Sequence, residues 1–314
     1  MTPVPDQPPT PTAGPIGGPI GGATRGPWVR VARDFARSPL AMTALVVLAL
    51  VVLAAVFAPL LTPQNPYDLM QLDIMDGMLE PGSPSAAGGY TYLLGTDDQG
   101  RDLFSAILYG LRISLSVGVV SALVAALVGA SLGLFAAYVG GRTETAIMRI
   151  VDLQLSFPSI LVALMILAFL GKGVQNVVLA LIIVEWASYA RTARGTALVE
   201  SRREYIQAAD CLGVPMRRII FRHLLPNCLP PLIVMGTIQV GRAISLEATL
   251  SFLGLGVPVT EPSLGLLISN GYQYLLSGQY WLSFYPGIAL LVTIVAINLV
   301  GDQFRDVFNP KGRG

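Results

Sequence analysis

SRREYIQAADCLGVPMRRIIFRHLLP, residues 201–226, is a charged, helix-forming stretch set between two strongly apolar ones. A membrane chain that keeps such a module in a connection holds it on the aqueous side. Its local pattern describes two short helices and a turn. Ser201 followed by Glu204 has the spacing of a capping box, in which hydroxyl and carboxylate each satisfy a leftover backbone donor. Gly213 suits the left-handed position just past a helix end, and Pro215 the opening turn of the next helix. Pro226 is expected to stop that second helix, because proline lacks the N–H and its ring clashes with the turn before it. Met216, Ile219, Ile220 and Leu224 are expected to form an apolar face offered to a cytosolic protein, the alternative being an amphipathic loop laid on the lipid surface with Arg217, Arg218 and Arg222 near anionic headgroups.

The rest of the chain supports a membrane setting. Of its 314 residues 53% are hydrophobic and only 12% charged, against about 25% charged in soluble domains. A net charge of +1 argues against nucleic acid as a partner. Cys211 and Cys228 fall in or beside the hairpin without metal-site spacing, and are expected to be reduced, buried thiols. The first residues are rich in Pro, Gly and Thr, so 1–34 is assigned to a disordered cytoplasmic tail. The first apolar run starts near residue 40 and lacks a small-residue cleavage site, which makes it an anchor and not a signal peptide.

A bilayer core of about 30 Å needs about 20 apolar residues in a helix. Six stretches qualify: 40–61, 113–139, 153–170, 174–190, 231–255 and 284–300. Pro158 in the third is tolerable as a kink in a packed bundle. Glu185 in the fourth, and Arg242 and Glu247 in the fifth, are expensive at mid-bilayer and therefore candidates for function. The expected fold is all-α: a polytopic membrane protein with six transmembrane helices and a cytoplasmic helix–turn–helix loop at 196–228. The first span and its outer loop occupy 35–112, a five-helix core 113–303, and a cytoplasmic tail 304–314.

Orientation follows from basic residues. With the N-terminus inside, 16 of the 20 Lys and Arg lie in inner segments, as the positive-inside rule asks. The first outer loop, 62–112, is acidic instead, with Asp68, Asp73, Asp76, Glu80, Asp97, Asp98 and Asp102. Both termini and the hairpin are thus expected to be cytoplasmic. The loop 256–283 carries Tyr272, Tyr274, Tyr280 and Trp281, which suit the membrane interface and could also meet a soluble partner. Gly129 and Gly133, flanked by Ala125, Ala126 and Ala130, would let helix backbones approach closely, internally or against another chain. His223 is the only histidine, no nucleophile–base pair stands out, and no Gly-x-x-x-x-Gly-Lys-Ser/Thr loop occurs in the sequence. The chain therefore does not hydrolyse ATP by that route and is read as no enzyme.

The hairpin carries a resemblance. YIQAAD (205–210), Gly213 and IIFRHLLPN (219–227) resemble the "EAA" loop of ABC importer permeases, with the Ala pair, the Gly and the distal Leu-Pro at that family's spacing. LLGTDDQGRDLFSAILYGLRISL (93–115), YVGGRTE (138–144), MRIVDLQLSFPS (148–159), EATLSFLGLGV (247–257) and NLVGDQFRDVFNP (298–310) are similar to the peptide and nickel permease subfamily, and to its C-type subunit in dipeptide and oligopeptide importers. Gln207 departs from the Glu or Val common before the Ala pair, and Asp210 follows it.

That resemblance implies a coupling role for Glu204, Ala208, Ala209, Asp210, Gly213, Ile219, Leu225 and Pro226, seated on an ATPase whose ATP-driven closure moves the hairpin as a lever. It implies a second permease subunit as heterodimer partner, two ABC ATPases that bind the ATP and Mg, and an extracytoplasmic substrate-binding protein docked on the acidic first loop and the aromatic third. No cofactor belongs to the chain itself. The setting would be the cytoplasmic (inner) membrane of a bacterium. The cargo would be di- or oligopeptides, with nickel or another small solute as the alternative. A gradient-driven carrier or a membrane scaffold are the rival classes. Glu185 would either face the translocation path or pair with Arg242 on the next span, and the pair is favoured because it removes two charges from lipid at once. Glu247 stands at the Glu of the family's Glu-Ala-x-Leu-Ser-Phe-Leu-Gly pattern, and an outer-gate or packing role is expected of it.

Overall fold

The computed structural model describes residues 27–86 and 88–308 of the chain. Residues 27–34, read from sequence as part of the tail, belong to helix α1 (Pro27–Ala36); the expectation for 1–26 lies outside the described residues. Phe35 of α1 is buried against Phe304, with ring centroids 5.1 Å apart. Helix α2 (Pro39–Val56) starts where its residues dictate: the Ser38 hydroxyl accepts from Ala41 N at 3.3 Å and proline fills the first helical position. The span expected over 40–61 breaks at Phe57 into α2 and α3 (Ala58–Leu61). Pro59, which has no N–H to give, lies just past that break.

Residues 62–102 form a small cap with two 3-10 turns (Leu69–Gln71 and Ile74–Asp76) and one antiparallel pair, β1 (Ser83–Pro84) with β2 (Thr91–Tyr92). The Asp102 carboxylate then accepts from Ser105 N at 2.8 Å and opens α4 (Leu103–Val139). This helix starts well before the sequence boundary at 113, and Arg112 lies within it.

The third span departs most from expectation. Helices α5 (Gly141–Ser156) and α6 (Ser159–Leu170) meet at 92°, so the stretch 153–170 straddles a corner. Pro158 does not kink a continuous helix. It forces Phe157 into extended backbone, φ −97° and ψ 144°, and the helix ends there.

Helix α7 (Val174–Glu200) is followed by the hairpin helices α8 (Glu204–Cys211) and α9 (Met216–Ile219), then by a π turn (Ile220–Leu224). Next come α10 (Leu225–Phe252), α11 (Leu264–Tyr272) and α12 (Trp281–Phe308). Four described spans are long and apolar enough to cross a membrane: α2, α4, the run Met216–Phe252 and α12. The bent pair α5–α6 makes a fifth if taken as one span. Helix α7 is not among them, since Gln175, Asn176, Glu185 and Arg191 dilute its apolar run.

The centre of the bundle is α4 against α7. A Cβ on Gly129 would stand 2.2 Å from the Trp186 carbonyl oxygen, and one on Gly133 2.3 Å from that of Ala190. The small-residue pair thus serves packing inside this chain. At the end of the bundle that carries the cap, α11 is wedged equally tightly: Gly265 would meet Ala248 O at 2.3 Å and Gly271 would meet Leu282 C at 2.4 Å. Trp281, expected at an interface, is buried here, whereas Tyr272 and Tyr280 are exposed.

Candidate functional site: the hairpin and the buried charges

The hairpin has a core of its own. Ile206, Ile219 and Leu224 are buried together, with Tyr138 from the end of α4, Ala209, Val214 and Ile220 packed around them. The apolar face expected to be offered outward is therefore turned inward, because two short helices with a tight turn satisfy their apolar sides against each other first. What the hairpin does expose is Leu212, 82% accessible beside the turn, and Phe221, 68% accessible on the π turn. Sequence reading overlooked both, although each breaks the inward periodicity.

Gly213 occupies the left-handed region at φ +70°, as its position demanded, and its N–H donates to Asp210 O at 2.9 Å. The capping box does not form. Arg203 is the N-cap of α8 without a side-chain bond, and the Ser201 hydroxyl donates to Leu198 O at 3.1 Å at the end of α7. Nor does Pro226 stop the second helix. It sits in the first turn of α10, where a missing N–H is harmless, and the π turn carries the chain into that helix.

Three contacts fix the hairpin to the bundle. Tyr205 Oη donates to Glu200 Oε1 at 2.5 Å and accepts from Asn227 Nδ2 at 2.9 Å. Tyr138 Oη donates to Asp210 Oδ1 at 3.5 Å. Burial, then the bond to Glu200, pushes the Tyr205 phenol up to about 12, so it stays a neutral donor at physiological pH. Of the residues assigned to coupling, Glu204, Ala208, Asp210, Gly213 and Pro226 are exposed, Ala209 and Leu225 are half-buried, and Ile219 is buried. Cys228 is buried as expected, but Cys211 is exposed; both are free. Beside the hairpin, α5 is clamped to α7 by Glu144 with Arg194 and by Asp152 with Arg191, the latter at 2.6 Å.

The intramembrane charges part company. Glu247 is fully buried and accepts from Ser114 Oγ on α4 at 2.8 Å and from Ser251 Oγ at 2.7 Å, which makes it a brace between α4 and α10. The favoured Glu185–Arg242 pair is not formed. Arg242 is exposed on α10 and donates to Ser159 Oγ at 2.9 Å, while neither Glu185 oxygen has a hydrogen-bond partner among the described residues. Spacing alone could not foresee this, since Ser159 is brought to Arg242 by the corner at Pro158.

Three of the seven acids of the loop 62–112 are withdrawn from its surface, while Glu80 stays exposed and Asp68, Asp73 and Asp98 are half-buried. Asp76, Asp97 and Asp102 are buried. Asp76 accepts from Ser85 Oγ, Ala86 N and Tyr92 Oη at 2.8–3.0 Å. Asp97 holds Arg101 Nε at 2.6 Å, and Arg101 Nη1 reaches Val259 O at 3.3 Å, tying the cap to the loop before α11. Asp68 and Asp73 cap the 3-10 turns. Backbone, hydroxyl and guanidinium donors, which sequence charge counting ignores, have claimed these carboxylates.

Similarity to known proteins agrees with this architecture. Residues 129–314 match the family profile described as binding-protein-dependent transport system inner membrane component. Residues 26–81 match the N-terminal TM domain of oligopeptide transport permease C. The probable D,D-dipeptide transport system permease protein DdpC of Escherichia coli is 40% identical, over 88% of this chain and 89% of that protein. The dipeptide transport system permease protein DppC of Alkalihalophilus pseudofirmus is 36% identical, over 99% and 96%. The di/tripeptide permease protein DppC of Pseudomonas aeruginosa is 37% identical, over 89% and 90%. Among solved structures, a chain of the inward-facing MetNI methionine ABC transporter is similar with a TM-score of 0.53 at 22% identity, over 64% of this chain and 96% of that one, a likeness of fold. An all-α membrane bundle with a self-contained hairpin between two long helices, matched over most of its length, belongs to the inner-membrane components of binding-protein-dependent ABC transport systems.

Proposed function

We propose that this chain is one of two permease subunits of an ATP-driven importer of short peptides. Six spans with both termini cytoplasmic would carry it, α7 crossing in spite of its polar residues because Glu185 is covered by its own chain. The observation that carries the proposal is the hairpin: a unit with its own core, held at its foot by Tyr205 and presenting Leu212 and Phe221 to a partner. A rigid projection between two long helices suits a lever seated on an ATPase, and the names of the relatives support peptide as cargo over nickel.

In that reading two ATPases bind and hydrolyse the ATP, and this subunit, with no phosphate-binding loop of its own, contributes the moving path. The path forms between this chain and a second permease, with a heterodimer as the unit of alternating access. An external substrate-binding protein would deliver the cargo at the outer cap. The test has two parts. The tagged chain should co-purify with ATPase subunits from membranes, and labelled dipeptide uptake should vanish on deleting the gene and return when it is restored. Absence of any bound ATPase would overturn the importer reading, and undiminished peptide uptake would overturn the cargo.

A further inference from the structure

Three polar side chains on α7 and α10 carry buried atoms without partners. Glu185, Tyr189 and Gln239 are 2%, 0% and 2% exposed, and Glu185 Oε1 and Oε2, Tyr189 Oη and Gln239 Nε2 have no hydrogen-bond partner among the described residues. Leaving buried polar groups unmatched is among the most unfavourable arrangements a fold can contain, most of all for a carboxylate. All three are covered by this chain's own residues. An inward-pointing group of this kind needs a partner that this arrangement withholds.

A candidate partner is carried by α10. Arg242 lies one turn along that helix from Gln239, and its guanidinium donates to Ser159 Oγ at 2.9 Å. Ser159 opens α6 immediately after the 92° corner. Between the hairpin and this level, α10 is weakened. A π turn precedes it, and Pro230 and Pro231 remove two backbone donors from its interior. At Gly236 a Cβ would come no nearer than 4.0 Å to the Tyr189 hydroxyl, so α10 presents no side chain at that point to lock it against α7.

The placement relative to the hairpin gives the arrangement a use. Helix α7 enters the hairpin and α10 leaves it. At about 1.5 Å per residue, Glu185 is about 22 Å up α7 from Glu200 and Gln239 about 21 Å up α10 from Leu225. Displacing the hairpin shifts these two helices against each other at this shared level.

We propose that Arg242 exchanges partners during the transport cycle: one access state, described here, holds it on Ser159, and the other holds it in an ion pair with Glu185 across α7 and α10. This rests on the ATP-driven importer reading. In the paired state Glu185 is neutralised and the start of α6 is released. In the Ser159 state α6 is tethered and Glu185 is left unmatched. Each state satisfies what the other leaves open, which is how a packed interior becomes bistable.

The test uses the wild-type complex with its ATPases in lipid nanodiscs, imaged by cryo-electron microscopy without nucleotide and with ATP plus vanadate. The expected result is an Arg242–Glu185 contact in one condition and an Arg242–Ser159 contact in the other. The same partner in both overturns the exchange. A double-mutant cycle gives a second reading in assembled complexes. Glu185→Gln and Arg242→Gln should each lower ATP-dependent uptake about tenfold, and the double variant no further than the worse single. A loss of about a hundredfold in the double, the product of independent effects, overturns the pairing. Wild-type uptake indifferent to ATP would instead sink the importer reading and the ATP-timed exchange with it.

Discussion

The Tyr205 hydroxyl accepts a hydrogen bond from Asn227 Nδ2 at 2.9 Å, joining the first turn of α8 to the first turn of α10. The same hydroxyl donates to Glu200 at the end of α7, so one phenol closes the foot of the hairpin on three helices. Tyr205→Phe removes both bonds and keeps the ring. With about 1 kcal/mol per typical hydrogen bond, the two together are worth about 2 kcal/mol and local opening should rise about thirtyfold. Trypsin cleavage at Arg202, Arg203, Arg217 or Arg218, all exposed, should quicken accordingly while the chain still inserts in membranes. Unchanged cleavage would show that Tyr205 does not hold the hairpin.

At Gly213 the backbone sits at φ +70° and a Cβ would meet nothing within 4 Å. Alanine there pays only the left-handed penalty, about 1 kcal/mol. Proline fixes φ near −65° and deletes the N–H that reaches Asp210 O. Peptide uptake should therefore be largely retained in Gly213→Ala and lost in Gly213→Pro, with equal amounts of both in the membrane fraction. Full uptake by the proline variant would remove the turn from the coupling argument.

Asp76 sets a pH dependence for the cap formed by residues 62–102. Burial would raise its carboxyl, but the bonds from Ala86 N, Tyr92 and Ser85 outweigh it and hold the group below the usual carboxylate range. A depressed folded-state value means stability that is present above the unfolded value and lost as pH falls through the folded one. Asp98 and Asp102 work in the opposite sense, since burial pushes both up. The difference between wild type and Asp76→Asn isolates the first effect. Amide exchange in residues 76–96 should be slower in wild type near neutral pH, and the gap should close below the ordinary carboxylate range. A gap that persists there would mean the Asp76 charge is not what holds the cap.

Glycines in long helices divide into two kinds. Gly129 is pressed on Trp186 O, so Gly129→Val should overpack α4 against α7 and cost about 1–3 kcal/mol or more. Gly287, inside α12, has nothing within 4 Å of its would-be Cβ, and Gly287→Ala should be neutral or stabilise by about 0.5–1 kcal/mol. Thermal unfolding of the detergent-solubilised protein checks both. A Gly129→Val variant as stable as wild type would contradict the close α4–α7 contact.

The legibility of the chain varied with the range of the interaction involved. The hairpin was legible because turn chemistry is local: a left-handed φ at Gly213 follows from the residue and its neighbours. Ser201 and Pro226 were misread for a related reason, since each signal belongs to whichever helix end claims it. Ser201 went to the end of α7 and Pro226 to the start of α10. The acids of the outer loop looked like a charged surface until folding aimed backbone and hydroxyl donors at Asp76 and Asp97.

Composition and apolar run length alone determined that this is an all-α membrane protein with a polar hairpin between its later spans, because transfer of a segment into lipid is a sum over its own residues. The tertiary structure decided what those residues meet. It turned Ile219 and Leu224 inward, left Leu212 and Phe221 outside, folded the third span at Pro158 and gave Arg242 to Ser159 in place of Glu185. Partner choice depends on which distant segments are brought within a few ångströms of one another, and no local pattern in the chain carries that distance.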